Sequence, residues 1–191
     1  VAGKLWLLIF PAAWHVLVAR GRPGWSPPRR GGLVIGATSG AVLAATAVAG
    51  AWLAGVQHMD LEPLRLAAKE MGLGSPVPYL AAAAAWTFLN SLMEEYVYRW
   101  FIFSRCEALA GGTAAVIASA AIFSVHHVIA VSRYLDPVNA ALASVGVFAG
   151  GVVWSGLYLR YRSIWPCWLS HVLADGAVFG IGWWLLFGRG V

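Results

Sequence analysis

Apolar and polar positions along this chain fall into long blocks, not into a two- or four-residue alternation. Apolar runs without a water-facing stripe alternate with short polar breaks, which predicts helices that cross a membrane, each needing about 20 residues. The first run, Leu5 to Ala19, is short and follows Lys4. A basic start and a short apolar core also fit a signal peptide, but no small-x-small cleavage site precedes the Arg20-Gly-Arg-Pro-Gly turn. A retained first span is therefore expected. The loop Arg20 to Gly32 is rich in Arg and Pro and cannot be helical throughout.

The second run, Leu33 to Val56, has Gly32, Gly36 and Gly40 at four-residue spacing, a stripe that lets helices approach closely. Gln57 to Pro78 is mixed. Asp60 can cap a short interfacial helix with Leu61, Leu64, Ala68 and Met71 on one face, and an ordinary connecting loop is the alternative. The third run starts near Tyr79 and continues past Phe103 to about Ala110, where Gly111-Gly112 breaks it. Thr113 to about Val131 is the fourth, and Ser132 to Pro137 is a turn. Val138 to Leu159 and Ile164 to Phe187 are the fifth and sixth. The fold expected is all-α: a polytopic membrane helix bundle of about six spans. Residues 1–78 form an N-terminal two-span region and 79–191 a four-span core within one membrane domain.

Composition agrees with this pattern. Hydrophobic residues are 60% and charged residues 11% of 191, with a mean hydropathy of +0.73. A soluble domain is about a quarter charged, so a water-facing surface cannot be built from this stock. The net charge of +5 comes from basic residues in the breaks between runs. No basic patch on a polar face supports nucleic-acid binding. Arg20, Arg22, Arg29, Arg30, Arg105, Arg160 and Arg162 fall on one side of the membrane, and Lys4, Arg65, Lys69, Arg133 and Arg189 on the other. The bias favours both termini outside the cytoplasm. Cys106 and Cys167 are isolated, so neither a disulfide framework nor a cysteine zinc site is expected. Most of the 11 Trp are read as interface anchors and packing residues.

Ionisable side chains inside spans are costly and point to function. The third run carries Glu94, Glu95 and Arg99, the fourth His126 and His127, and the sixth His171 and Asp175; His15 stands alone and is read as a packing residue. Glu95 and Arg99 are four apart and share a helix face, as are His171 and Asp175. Glu94 is rotated by about 100° and is left to face another helix. Counted from the Gly111-Gly112 turn, Glu94 and His127 lie at about 25 and 23 Å, so they meet across an antiparallel hairpin. His171 is about 12 Å from its own turn, so the hairpin must project beyond the membrane face for all three to meet.

Glu94-Glu95-x-x-x-Arg99, Phe123-x-x-x-His127 and His171-x-x-x-Asp175, in order on three spans, resemble the three motifs of the CAAX-protease and bacteriocin-processing membrane peptidases. The resemblance covers roughly Tyr79 to Phe187. The run Glu94-Glu-Tyr-Val-Tyr-Arg-Trp-Phe also looks like the myxosortase-like branch, proposed to process C-terminal sorting tags in bacteria. This likeness implies a glutamate-dependent intramembrane endopeptidase, without a cofactor, acting on a membrane-anchored protein or peptide. It also implies a multi-pass protein of a bacterial inner membrane.

By the same resemblance, Glu94 is the general base and His127 holds the water. His171 and Asp175 form the oxyanion hole, and Glu95 and Arg99 support Glu94. Asp175 departs from the family pattern, where Asn is common. An ionised Asp cannot donate, so Asp175 either is protonated or orients and charges His171. The Phe-x-x-x-His register selects His127 over its neighbour His126. Two chemistries compete with this one. Two His and carboxylates are adequate zinc ligands, although no HExxH is present. A proton-coupled transporter would use the same residues as a relay, but the paired repeats expected of one are absent from the sequence. A catalytically idle membrane scaffold is a third option, against which the intact motifs argue.

Overall fold

The computed structural model describes residues 2–22, 26 and 31–188, and among them are seven helices and a short 3₁₀ turn at Val56–His58. Arg29, Arg30 and Arg189, used above in weighing the loop charges, lie outside the described residues, as does the side chain of Lys4. Helix α1 covers 2–18, α2 Leu33–Leu53 and α3 Glu62–Glu70. Helix α4 runs without a break over 76–110, α5 covers Gly112–Val131, α6 Pro137–Tyr161 and α7 Ile164–Gly188. Helices α2, α5, α6 and α7 are long and apolar enough to cross a membrane, and the apolar stretch Leu5–Val18 is shorter. Together with α4, the expected spans are all helical, and no strand occurs among the described residues. The protein is an all-α helix bundle.

The boundaries have local causes. Gly111 takes a positive φ of 81° that ends α4 and lets α5 begin at once. Asp136 caps α6, accepting from the backbone N–H groups of Val138 and Asn139, with Pro137 in the first turn. Ser163 caps α7 by accepting from the N–H of Trp165, and its own hydroxyl donates to the carbonyl of Ser26 at 2.7 Å. Helix α3 forms as expected after Asp60, which accepts from the Glu62 N–H. Leu61 and Ala68 are buried, and Leu64 packs against the cluster of Val56, Leu61 and Leu185. Met71 does not join that face. It lies past the end of α3 and is exposed.

Large apolar side chains face outward over much of the molecule: Leu17, Val34, Leu53, Val77 and Leu109 are all well exposed. A soluble protein would not tolerate this, whereas lipid is a good solvent for it. The most buried positions are polar in unusual number, and include Glu95, Arg99, Ser91, Ser119, Ser155 and Ser170. An apolar core of Phe103, Ala115, Phe123, Trp154, Leu157, Tyr158 and Cys167 sits where α4, α5, α6 and α7 meet.

Helix α2 packs along α7, and its glycines explain how. A Cβ on Gly36 would collide with the carbonyl oxygen of Pro166, and one on Gly40 would lie 2.7 Å from the Cα of Ser170. The stripe is a backbone-to-backbone contact, as the four-residue spacing predicts. Helix α1 packs on α4, with Phe10 edge-on to Phe101 and Tyr96 donating to the carbonyl of Leu8. His15 packs against Trp100 and bonds to the carbonyl of Arg22, consistent with a packing role.

Candidate active site

Helix α4 is widened on both sides of Glu94. Residues Ala85–Asn90 and Glu95–Phe103 form π-helical turns, with the α-helical stretch Ser91–Glu94 between them. Bonds from i to i+5 put more residues into each turn, and such widenings recur at functional sites. Ring contacts and ion pairs then join α4 to both α5 and α7 at one level.

Glu94 and Glu95 diverge as their spacing predicts. Glu94 receives a 2.8 Å hydrogen bond at Oε1 from Asn90 Nδ2. Its Oε1 lies 3.7 Å from His126 Nε2, and its Oε2 lies 3.7 Å from His171 Nε2. Glu95 turns inward. Its Oε1 accepts from His171 Nδ1 at 2.8 Å, and its Oε2 is 3.3 Å from Arg99 Nε. Both Glu95 and Arg99 are fully buried. The Arg99 contact is a close ion pair without hydrogen-bond geometry, and Nη1 and Nη2 find no hydrogen-bond partner among the described residues. Two rings take their place: the guanidinium lies 4.5 Å from the centroid of Phe123 and 5.2 Å from that of Trp154.

His171 is therefore held on several sides. Glu95 takes its Nδ1–H, and Asp175 Oδ1 lies 3.5 Å from Nε2, one turn along α7. The ring stacks on Trp154 at 3.8 Å with planes 16° apart. A carboxylate accepts only, so the bond to Glu95 puts a proton on Nδ1. Any hydrogen that His171 directs toward Glu94 or Asp175 must be a second one, on Nε2.

The two histidines of α5 stand next to each other, ring centroids 4.0 Å apart, and both reach the site. His127 Nδ1 faces the carbonyl of Phe123 at 3.2 Å. A carbonyl cannot donate, so the neutral ring carries its lone pair on Nε2. His126 Nδ1 is 3.1 Å from the hydroxyl of Tyr98, which can donate or accept. Either tautomer is thus allowed for His126. Glu94, His126 and His127 each offer one ligand atom within 4.8 Å of the others, a spacing that a single metal ion can use. His126, ranked second in the sequence reading, is the histidine of α5 with an atom 3.7 Å from Glu94.

All six residues singled out from sequence (Glu94, Glu95, Arg99, His127, His171 and Asp175) lie in this one cluster. Asn90, Tyr98 and Trp154 were not singled out. Asn90 is four residues before Glu94, and the spacing rule that paired Glu95 with Arg99 also marks it. Trp154 gave no such signal, because a tryptophan in an apolar span looks like any packing residue.

A family model described as type II CAAX prenyl endopeptidase Rce1-like matches residues 76–177, from the start of α4 to just past Asp175. Comparison with curated proteins and with solved structures returns no match.

Proposed function

This chain belongs to the type II CAAX prenyl endopeptidase Rce1-like family, and from that premise we propose that it is an intramembrane protease whose Glu94 activates water. The observation that carries the proposal is the convergence of α4, α5 and α7 on the Glu94 carboxylate, with Asn90, His126 and His171 around it. A buried anion so placed is expensive unless it has work to do.

In this reading a water sits between Glu94 and the Nε2 lone pair of His127. Glu94 takes one of its protons as the oxygen attacks the scissile carbonyl carbon. The carbonyl oxygen becomes an oxyanion and is met by the Nε2–H of a doubly protonated His171. Glu94 then gives the proton to the leaving nitrogen, the C–N bond breaks, and a carboxylic acid and an amine result. Asp175 keeps His171 charged and aimed, which supports its orienting role over that of a direct donor. Glu95, hydrogen-bonded to His171 and ion-paired with Arg99, ties the oxyanion donor to the buried guanidinium. The substrate is a membrane-anchored protein or peptide. A prenylated CAAX terminus and a sorting tag are the two substrate classes to separate.

A second reading is favoured by the Glu94, His126 and His127 spacing, which suits zinc with an open fourth position. It requires His126 to donate from Nδ1 to Tyr98 and free its Nε2. Zinc would supply an activated water to the same carbonyl. Purified protein, assayed on farnesylated CAAX peptides and on membrane precursors that accumulate in a strain lacking the chain, tests both readings. Glu94-dependent cleavage that survives 1,10-phenanthroline supports the glutamate mechanism. Loss on chelation, restored by zinc, replaces it, and absence of any cleaved precursor or peptide overturns both.

A further inference from the structure

Helix α2 precedes the segment that the family model matches, yet it reaches the candidate site by a continuous set of contacts. The indole of Trp154, on α6, donates from Nε1 to the Ser170 hydroxyl of α7 at 3.1 Å. The Ser170 and Ser39 hydroxyls share a hydrogen bond of 3.2 Å, and Ser39 also bonds to the carbonyl of Gly36, one turn back on α2, at 3.0 Å. An indole N–H can only donate and a carbonyl can only accept. The Ser170 oxygen therefore receives the indole N–H and meets the Ser39 hydroxyl, whose one hydrogen lies within reach of both Ser170 and the Gly36 carbonyl. Gly36 and Gly40 bracket Ser39 and allow the two helix backbones to come close enough for this link.

The other end of the link is the ring that stacks on His171 at 3.8 Å. Trp154 is further pinned by Cys167, whose thiol donates to its carbonyl at 3.3 Å, and by Arg99 over its ring. The indole itself is thus held at Nε1 by Ser170 and on its ring by Arg99, while Cys167 holds the backbone behind it, and His171 stacks on the ring so placed. We infer that α2 is a positioning element of the reaction centre: Ser39, acting through Ser170 and Trp154, sets the orientation in which His171 presents Nε2 to Glu94 and Asp175. Its consequence for catalysis rests on the proposed function; its consequence for the His171 ring does not.

The test separates the two. Protein labelled with ring-15N histidine in detergent micelles gives a His171 signal, assigned by its loss in His171→Gln. Ser39→Ala, Ser170→Ala and Trp154→Phe, which keeps an aromatic face but lacks the N–H, should each move the His171 nitrogen shifts. Thr46→Ala removes a hydroxyl from the same helix that bonds only within it, and should leave them in place. On a farnesylated CAAX peptide the three variants should lower kcat by about tenfold with KM nearly unchanged, as expected when a catalytic group is misaligned but substrate contacts survive. His171 shifts that match the parent in the Ser variants overturn the inference. If Ser170→Ala does not fold, Ser39→Ala, whose hydroxyl is only half-buried, decides alone. Shifts that move while Glu94→Gln cleaves at the parent rate leave the positioning intact and reject the glutamate mechanism instead.

Discussion

Helix α7 meets different partners on its two sides, and the contrast explains much of the molecule. Toward α2 it presents Pro166 and Ser170 to glycines, and the backbones touch with no room for a Cβ. Toward α4 it presents His171 to Glu95 and Glu94, at 2.8 and 3.7 Å, with Asp175 beside His171 one turn along the same helix. The first seam is closed by the absence of side chains. The second is held open by charged ones, and the His171 Nε2 contacts to Glu94 and Asp175, at 3.7 and 3.5 Å, are too long for good hydrogen bonds. In lipid, apolar packing alone does not distinguish one helix neighbour from another, so close approach and polar contacts supply the specificity. A membrane helix can use one device to fix its place and the other to do chemistry.

The largest effect should come from the charged seam. Arg99→Ala leaves Glu95 with His171 as its one remaining partner in the cluster, and removing one member of a buried pair costs about 3–5 kcal/mol. The yield of folded protein, measured by size-exclusion chromatography in detergent, should fall sharply, and Glu95→Gln should partly restore it. Absence of rescue would mean that Arg99 is held mainly by the Phe123 and Trp154 rings. Glu94→Gln should leave the fold intact, because an amide of the same shape is easier to bury. Cleavage should fall by about 10²-fold or more, with His127→Ala severe and His126→Ala milder. The reverse order for the histidines would exchange their roles.

The glycine seam comes next. Gly36→Ala forces a methyl group onto the Pro166 carbonyl, a backbone atom that cannot step aside, and overpacking of this kind costs about 1–3 kcal/mol. The thermal midpoint should drop, whereas Gly50→Ala, with open space around it, should not lower it. Equal behaviour of the two would remove the distinction between the seams. Asp175→Asn keeps the shape of the charged seam but removes an anion beside His171, and should reduce kcat by less than the roughly 10²-fold or more that losing an oxyanion donor itself costs. Full activity would show that an amide donor suffices there, reassigning the position as a direct oxyanion contact.

The smallest effect lies outside the bundle interior. The side-chain N–H of Asn139, then the backbone N–H groups behind it, hold the Asp136 carboxyl below the usual carboxylate range. A lowered folded value means that the cap contributes above the ordinary carboxylate pKa, and that its contribution fades as pH falls through the folded value. Asp136→Asn should therefore lose less thermal stability than the parent between neutral and strongly acidic pH, by a modest margin because the site is fully exposed. A larger acid loss in the variant would contradict the capping role.

The helix count, the break at Gly111, the turn at 132–137 and the glycine stripe were legible in the sequence, because each depends on residues within a few positions of one another. The Glu95–Arg99 pair and the divergence of Glu94 followed from helical spacing alone. The resemblance of three motifs in order marks the residues of the candidate site in the sequence. The π-helical turns of α4 were not legible, since no periodicity announced them, and the level at which the helices meet is set by packing between elements far apart in the chain. Nor was the rank of His126 and His127 legible, because they are adjacent on α5 and only the packed structure brings His126 Nε2 to 3.7 Å from Glu94. Trp154 is the plainest case. Alone it is one more apolar ring in a span; only the tertiary structure, by bringing α2, α4, α6 and α7 to one point, places it against His171 and connects Ser39 to it.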